Sequence, residues 1–284
     1  MALPFPHTLS PSKVSAFKSC PLAFRFSVID RLPEPPSAAA AKGTVVHRAL
    51  QLLFDEPPAG RTPAAALAKL AVARAEVLGG GEYADLDLPA EEAAAFDADT
   101  ERLVLRYFDV EDPAAVTPIG LELMMEARTG GVRLRGIIDR LELDADGELV
   151  VTDYKTGRVP NQRYEQHSLG GVHFYAFLCQ SVLGRLPSRI QLLYLSEGVA
   201  IVATPSERSV RGLVQRVGAV WSAVERACVR DDFRPSPGAL CNYCSFQAFC
   251  PAFGGDPELA RAAVAARAAE RREAAGQEAL ALSN

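Results

Sequence analysis

The chain has 284 residues and a formal net charge of −5, with 49% hydrophobic and 23% charged residues, the balance of an ordinary globular protein and not of a disordered or collagen-like one. It holds no run of about 18 apolar residues, so no membrane span is expected, and its length buries a sizeable core without disulfides. The opening MALPFPHTLSPSK lacks a basic stretch followed by an apolar one, which argues against a signal peptide and for the cytoplasm, where six cysteines point to metal or redox chemistry.

Residues 12–28 carry apolar positions at helical spacing behind Ser10 or Ser12 as N-caps, with Pro21 expected to break the helix. A Pro- and Ala-rich loop is expected at 33–41, then an amphipathic helix over 43–54 that Pro57 and Pro58 end. Residues 62–78 and 90–108 read as two Ala-rich, acidic helices separated by the glycines of 79–81, so 56–116 forms a helical insertion. From 117 the period changes to the alternation of strands in IGLELMMEA, VRLRGIIDRLEL and ELVVTDYKTG, the last two joined by a tight turn at Ala145-Asp146-Gly147. A helix over 168–184, a hairpin of 190–195 with 199–204 and a helix over 206–230 follow. Segment 257–280 has strong helix formers but few large apolar residues, an exposed tail helix. Three strands, a helix and two more strands predict an α/β fold, with a mixed central sheet flanked by helices.

Charge is uneven along the chain. Residues 76–126 hold 14 acidic residues against 2 Arg, a net of −12, which leaves +7 for the rest. This asymmetry allows a basic groove for a polyanion; a solvated acidic helical face with no steering role accounts for it equally well. With 25 Arg against 5 Lys, each lysine stands out.

Lys155 stands two residues after Asp153 in VTDYKTG, so both side chains share one face of a strand. The hairpin through Gly147 brings Asp139 of GIIDR beside them. Two acids near apolar strands need a compensating cation, and hard oxygen ligands suit Mg²⁺ or Mn²⁺. On its own an Asp-x-Lys is as compatible with a surface salt bridge, and His47, on the polar edge of an apolar helix, with a satisfied core histidine. Cys241-x2-Cys244-x5-Cys250 together with the remote Cys20 can hold zinc or an iron–sulphur cluster. Cys179 and Cys228 lie in apolar helical stretches and read as buried thiols.

The ordered set LSPSKVSAFKSCP, GTVVH, GIIDR, VTDYKTG and CNYCSFQAFC resembles the RecB-like exonucleases of the PD-(D/E)xK superfamily, above all those with a four-cysteine cluster, such as AddB nuclease domains and CRISPR-associated exonucleases. The resemblance implies a restriction-endonuclease-like core over residues 1–255 with a C-terminal clasp, leaving 256–284 as the tail. It implies a [4Fe-4S] cluster on Cys20, Cys241, Cys244 and Cys250. It implies a divalent-metal site from His47, Asp139, Asp153 and the carbonyl of Tyr154, with Lys155 catalytic and Tyr175 contributing. One position departs from the pattern: the glutamine expected four residues before Tyr175 is Gly171, for which Gln166, His167 or His173 are the local substitutes. Phe17, Phe24 and Tyr164 are candidates for stacking on bases, with core packing as the default for each. The expected function is cleavage of single-stranded DNA or DNA ends in repair or recombination. A non-catalytic DNA-binding scaffold and a CRISPR-associated nuclease are the alternatives. No GxxxxGK[ST] loop occurs, so unwinding falls to a separate helicase.

Overall fold

Short polar caps decide where the helices begin. In the computed structural model, which describes residues 3–160 and 165–266 (backbone only for 165–170), Ser10 accepts a hydrogen bond from the Lys13 amide and opens α1, Pro11–Ser19. Cys20 caps α2, Pro21–Phe24, its Sγ accepting from the Ala23 amide at 3.5 Å. Pro21 separates the two helices as expected, because its ring leaves no amide to continue α1. Helix α3 spans Ala38–Phe54 and starts five residues before the expected Gly43. Ser37 accepts from the Ala40 amide, and the alanines that follow are strong helix formers, so the expected loop at 33–41 is cut short. Thr62 caps α4, Pro63–Leu78, and α5 covers Ala90–Val110.

Strands β1 (Pro118–Thr129), β2 (Val132–Leu143), β3 (Leu149–Lys155), β4 (Arg189–Tyr194) and β5 (Val199–Ala203) form one sheet in that order. All neighbours pair antiparallel except β3 and β4, which run parallel and are joined through α6, Glu165–Leu183. This is the mixed sheet with flanking helices that the sequence predicted. Helix α6 starts three residues before the expected 168. Gly136 of β2 lets α6 approach, since a Cβ there would lie 3.0 Å from Leu178 Cδ1 and 3.4 Å from Tyr175. Helix α7 spans Glu207–Arg230.

The unit Pro36–Gln215 contains the sheet and α3–α6. Its core joins the apolar face of α3 (Val45, Ala49, Leu50, Leu53) to Leu70 of α4, Leu103 and Tyr107 of α5, and Tyr154 and Leu193 of the sheet. Each fully buried large side chain of this set contributes about 1.5–3 kcal/mol. The second unit comprises Met1–Pro35 and the chain from Arg216 onward. Its own core sets Leu22, Phe24 and Phe26 against Val224, Cys228, Phe233 and Phe246.

The cysteine segment and the N-terminal helices, expected as parts of the nuclease domain over 1–255, belong to one of the two units. Ala260 is fully buried, with Ala263 and Val264 packed beside it, so helical residues 257–266 are not a wholly exposed tail. Small apolar residues at i, i+3 and i+4 suffice to make that stripe. The remainder of the expected tail helix, and Tyr164, lie outside the described residues. Among the described residues no helix is long and apolar enough to cross a membrane.

Candidate active site

Strand register brings three acids into line. β2 and β3 pair Arg140 with Thr152 and Leu141 with Val151, and the same register sets Asp139 opposite Asp153. β1 and β2 pair Leu121 with Arg140 and Leu123 with Ile138, which sets Glu122 opposite Asp139. Three neighbouring strands therefore carry one carboxylate each in a single row. Glu122 holds left-handed backbone within its strand, φ 46°, a conformation that costs a non-glycine residue about 1–3 kcal/mol and gathers at functional positions.

Helix α3 delivers His47 to this row. Its Nδ1 lies 3.5 Å from Asp139 Oδ2 and 3.8 Å from Glu122 Oε1, while Nε2–H donates to the Tyr154 carbonyl at 3.0 Å. The Tyr154 amide donates to Asp139 Oδ2 at 2.7 Å, so one residue of β3 orients both groups through its backbone. Asp153 Oδ1 accepts from the Tyr175 phenol at 3.2 Å. Its Oδ2 is buried without a hydrogen-bond donor of proper geometry, and the Lys155 ammonium closes on it as an ion pair.

Protonation follows from these contacts. Burial opposes charge on His47, yet Glu122, Asp139 and Asp153 carry its imidazole up to about 9. Burial raises Asp139, with His47 pulling the other way. Burial also opposes the Lys155 charge, but Asp153 and Asp139 outweigh it and hold the ammonium protonated. Lys155 is thus suited to stabilise negative charge and not to accept a proton. Burial next to Asp153 keeps the Tyr175 phenol protonated, as a donor.

Among the described residues, His47, Glu122 and Asp139 bring three ligand atoms within 4.8 Å of one another. An imidazole nitrogen with hard carboxylate oxygens suits a divalent ion of the Mg²⁺ or Mn²⁺ class, and the Nε2–H bond to a carbonyl is the outer contact that orients a ligating imidazole. Raised values for His47 and Asp139 mean that the folded, metal-free protein holds protons that the unfolded chain releases. The site therefore favours folding on the acid side, and this contribution is lost as pH rises towards 9. Titrating Mn²⁺ by calorimetry at pH 7 in two buffers of different ionisation enthalpy is expected to release at least one proton, with affinity rising up to about pH 9. Binding without proton release would overturn this ligand set.

His47, Asp139, Asp153, Tyr154, Lys155 and Tyr175, the catalytic and metal candidates of the sequence, lie together here, and the four cysteines lie in the other unit. The Tyr154 carbonyl accepts from His47 here. Glu122 was missed. Its signal was present in the Gly130-Gly131 turn, both residues at positive φ, because a two-residue hairpin pairs Thr129 with Val132 and so puts Glu122 opposite Asp139. Gly171 lies one turn before Tyr175 on α6, with nothing within 4 Å of where a Cβ would stand. Of its three local substitutes only half-buried His173 has a described side chain.

In the other unit, Cys20 and Cys241 each accept a backbone hydrogen bond on sulphur, Cys241 from Gly238 at 3.3 Å. Cys20, Cys244 and Cys250 pack on one apolar cluster. Partial burial raises the Cys244 thiol, and Cys20, Cys241 and Cys250 raise it further, which places the four in one neighbourhood. No three of these sulphurs lie within 4.8 Å of one another. Cys179 and Cys228 are fully buried, as expected, and burial pushes their thiols up to about 12 and about 11.

A mixed sheet with an acid row across three neighbouring strands, a lysine beside it and a helix-borne histidine has the make-up of a phosphodiester-cleaving hydrolase. The family model of the PD-(D/E)XK nuclease superfamily matches residues 8–251, and the chain belongs to that superfamily. Gene 69 protein of Mycobacterium phage D29 is 24% identical over 271 residues, 86% of this chain and 96% of that protein. Its counterpart in Mycobacterium phage L5 is 22% identical over the same shares. The crystal structure of a candidate exonuclease from Eubacterium rectale superposes with a TM-score of 0.51 at 8% identity, over 84% of this chain and 87% of that one, a likeness of fold alone.

Proposed function

We propose that the chain is a RecB-like, metal-dependent deoxyribonuclease acting on single-stranded DNA or DNA ends in repair or recombination, with any unwinding left to a separate helicase. The observation that carries this reading is the row Glu122–Asp139–Asp153 with His47 above it and Lys155 beside it. His47, Glu122, Asp139 and Asp153 would hold Mg²⁺ or Mn²⁺, which supplies Lewis acidity and a water of lowered pKa. Lys155, kept charged by Asp153, neutralises the phosphate oxygens as a water oxygen bonds to phosphorus and the bridging P–O bond breaks. Tyr175 steadies Asp153 from α6. A scaffold role rests on Gly171 alone, and the complete charged set argues against it. The test is cleavage of end-labelled single- and double-stranded DNA with Mg²⁺, Mn²⁺ or EDTA. Metal-dependent products are expected; none with either metal would overturn the reading.

The same proposal includes a [4Fe-4S] cluster on Cys20, Cys241, Cys244 and Cys250, in a protein of the reducing cytoplasm. Support comes from the shared neighbourhood of the thiols and from the amides aimed at two sulphurs. Anaerobically purified protein is expected to be brown, with iron and acid-labile sulphide, and Cys20→Ser to lower the melting temperature while Cys179→Ser keeps the colour. Stoichiometric zinc without iron would overturn the cluster.

A further inference from the structure

The unit that carries the cysteines has a cleft of about 240 Å³ between α1, the start of α2 and the C-terminal half of α7. Phe17, Pro21, Ala223 and Ala227 make its apolar floor, and Arg226, Arg230 and Arg234 rim it. Arg226 and Arg230 stand one helical turn apart on α7, both exposed, and neither has an ion pair or hydrogen bond among the described residues. Like charges at i and i+4 repel, so the fold gains nothing from this pair. The acid on the rim, Asp232, is taken by Arg234 at 3.2 Å. Phe17 is half-buried, in a T-shaped contact with Phe24 at 5.2 Å between ring centroids, and it lines the cleft. Phe24 itself is fully buried, a core residue.

We propose that this cleft binds an unpaired stretch of nucleic acid, with successive backbone phosphates on Arg226 and Arg230 and one base stacked on Phe17. Arg226 and Arg230, the two rim arginines without an acid, select a polyanion, and the aromatic floor selects one that carries flat rings; a base reaches such a floor only when it is out of a duplex. The cleft is smaller than the usual small-molecule pocket, which fits one ring and not a larger ligand. The partner's class is taken from the nuclease reading above, but the surface lies in the other unit and is tested without cleavage.

The experiment is fluorescence anisotropy of the full chain with a labelled oligo-dT in EDTA, over a series of salt concentrations. Arg226→Ala/Arg230→Ala is expected to weaken binding at least tenfold at low salt and to flatten the log–log salt slope by about 1.4, two single-strand phosphates at about 0.7 each. Phe17→Leu is expected to weaken binding about tenfold with the slope unchanged, and Phe17→Tyr to restore it. Arg185→Ala, which removes an exposed arginine away from the cleft, is expected to leave binding as it is. Melting temperatures of the arginine variants are expected to match the parent, since both side chains are exposed. An unchanged slope in the double variant overturns the proposal, as does displacement of oligo-dT by poly-glutamate at equal charge, which would mark an acidic protein as the partner. A chain that cleaves nothing with Mn²⁺ but shows these shifts keeps the cleft and loses only the nuclease reading.

Discussion

Lys155→Ala is expected to lower the turnover of DNA cleavage by about a hundredfold or more, the scale seen when one donor to a developing negative charge is removed. Asp153 and Asp139 hold the Lys155 ammonium charged against the cost of its burial, and its side chain remains 41% exposed, within reach of a substrate. Its charge matters most when negative charge gathers on the phosphate, so kcat and kcat/KM are expected to fall together with little change in DNA affinity. Single-turnover cleavage with saturating Mn²⁺ measures this. Activity within a few fold of the parent would remove Lys155 from the chemistry.

The second large effect lies on the opposite side of β2. Arg140 is fully buried and spends its guanidinium on Glu142 (2.6 Å), Glu111 (2.9 Å to Oε2), Thr152 (2.9 Å) and the hydroxyls of Tyr154 and Tyr107 (3.0 and 3.1 Å). Phe54 covers its plane, with 5.0 Å from Cζ to the ring centroid. Arg140→Ala leaves Glu111 and Glu142 without their cation, in a setting where burial already raises Glu142. Breaking a buried pair from one side costs about 3–5 kcal/mol. At about 2–4 °C per kcal/mol for a domain of this size, the melting temperature is expected to fall by roughly 10 °C. Arg140→Lys is not expected to rescue it, because an ammonium cannot fork among these acceptors. A fall under about 2 °C would show the network to be dispensable. Arg140 also holds the ring of Tyr154, whose backbone orients His47 and Asp139. Cleavage well below the melting temperature is therefore expected to drop as well.

The strength of that network explains a limit of the sequence reading. Asp139 and Arg140 are neighbours in GIIDR and, by strand alternation, point to opposite faces. One belongs to the candidate site and the other to a buried ion cluster reaching the end of the helical insertion at Glu111. Adjacent letters carry no mark of this division, because it depends on which helix covers which face.

What the sequence by itself determined was everything encoded within a few residues. The break at Pro21, the starts of α1 and α4, the strand alternation, the turn at Gly147 (φ 74°) and the common face of Asp153 and Lys155 all follow from backbone sterics and side-chain period. Motif order carried the superfamily, because residues that share one site recur in one order along the chain. Only the tertiary structure decided the rest. The burial of Arg140 with Glu111 took the docking of α5, and that of Ala260 took an apolar surface drawn from the N-terminal helices and α7. The helix-borne His47 faces the acid row because the apolar stripe of α3 is buried, leaving the imidazole at its edge. The division has one physical cause: propensity and period act between neighbours, whereas burial and charge compensation are set by residues far apart in the chain.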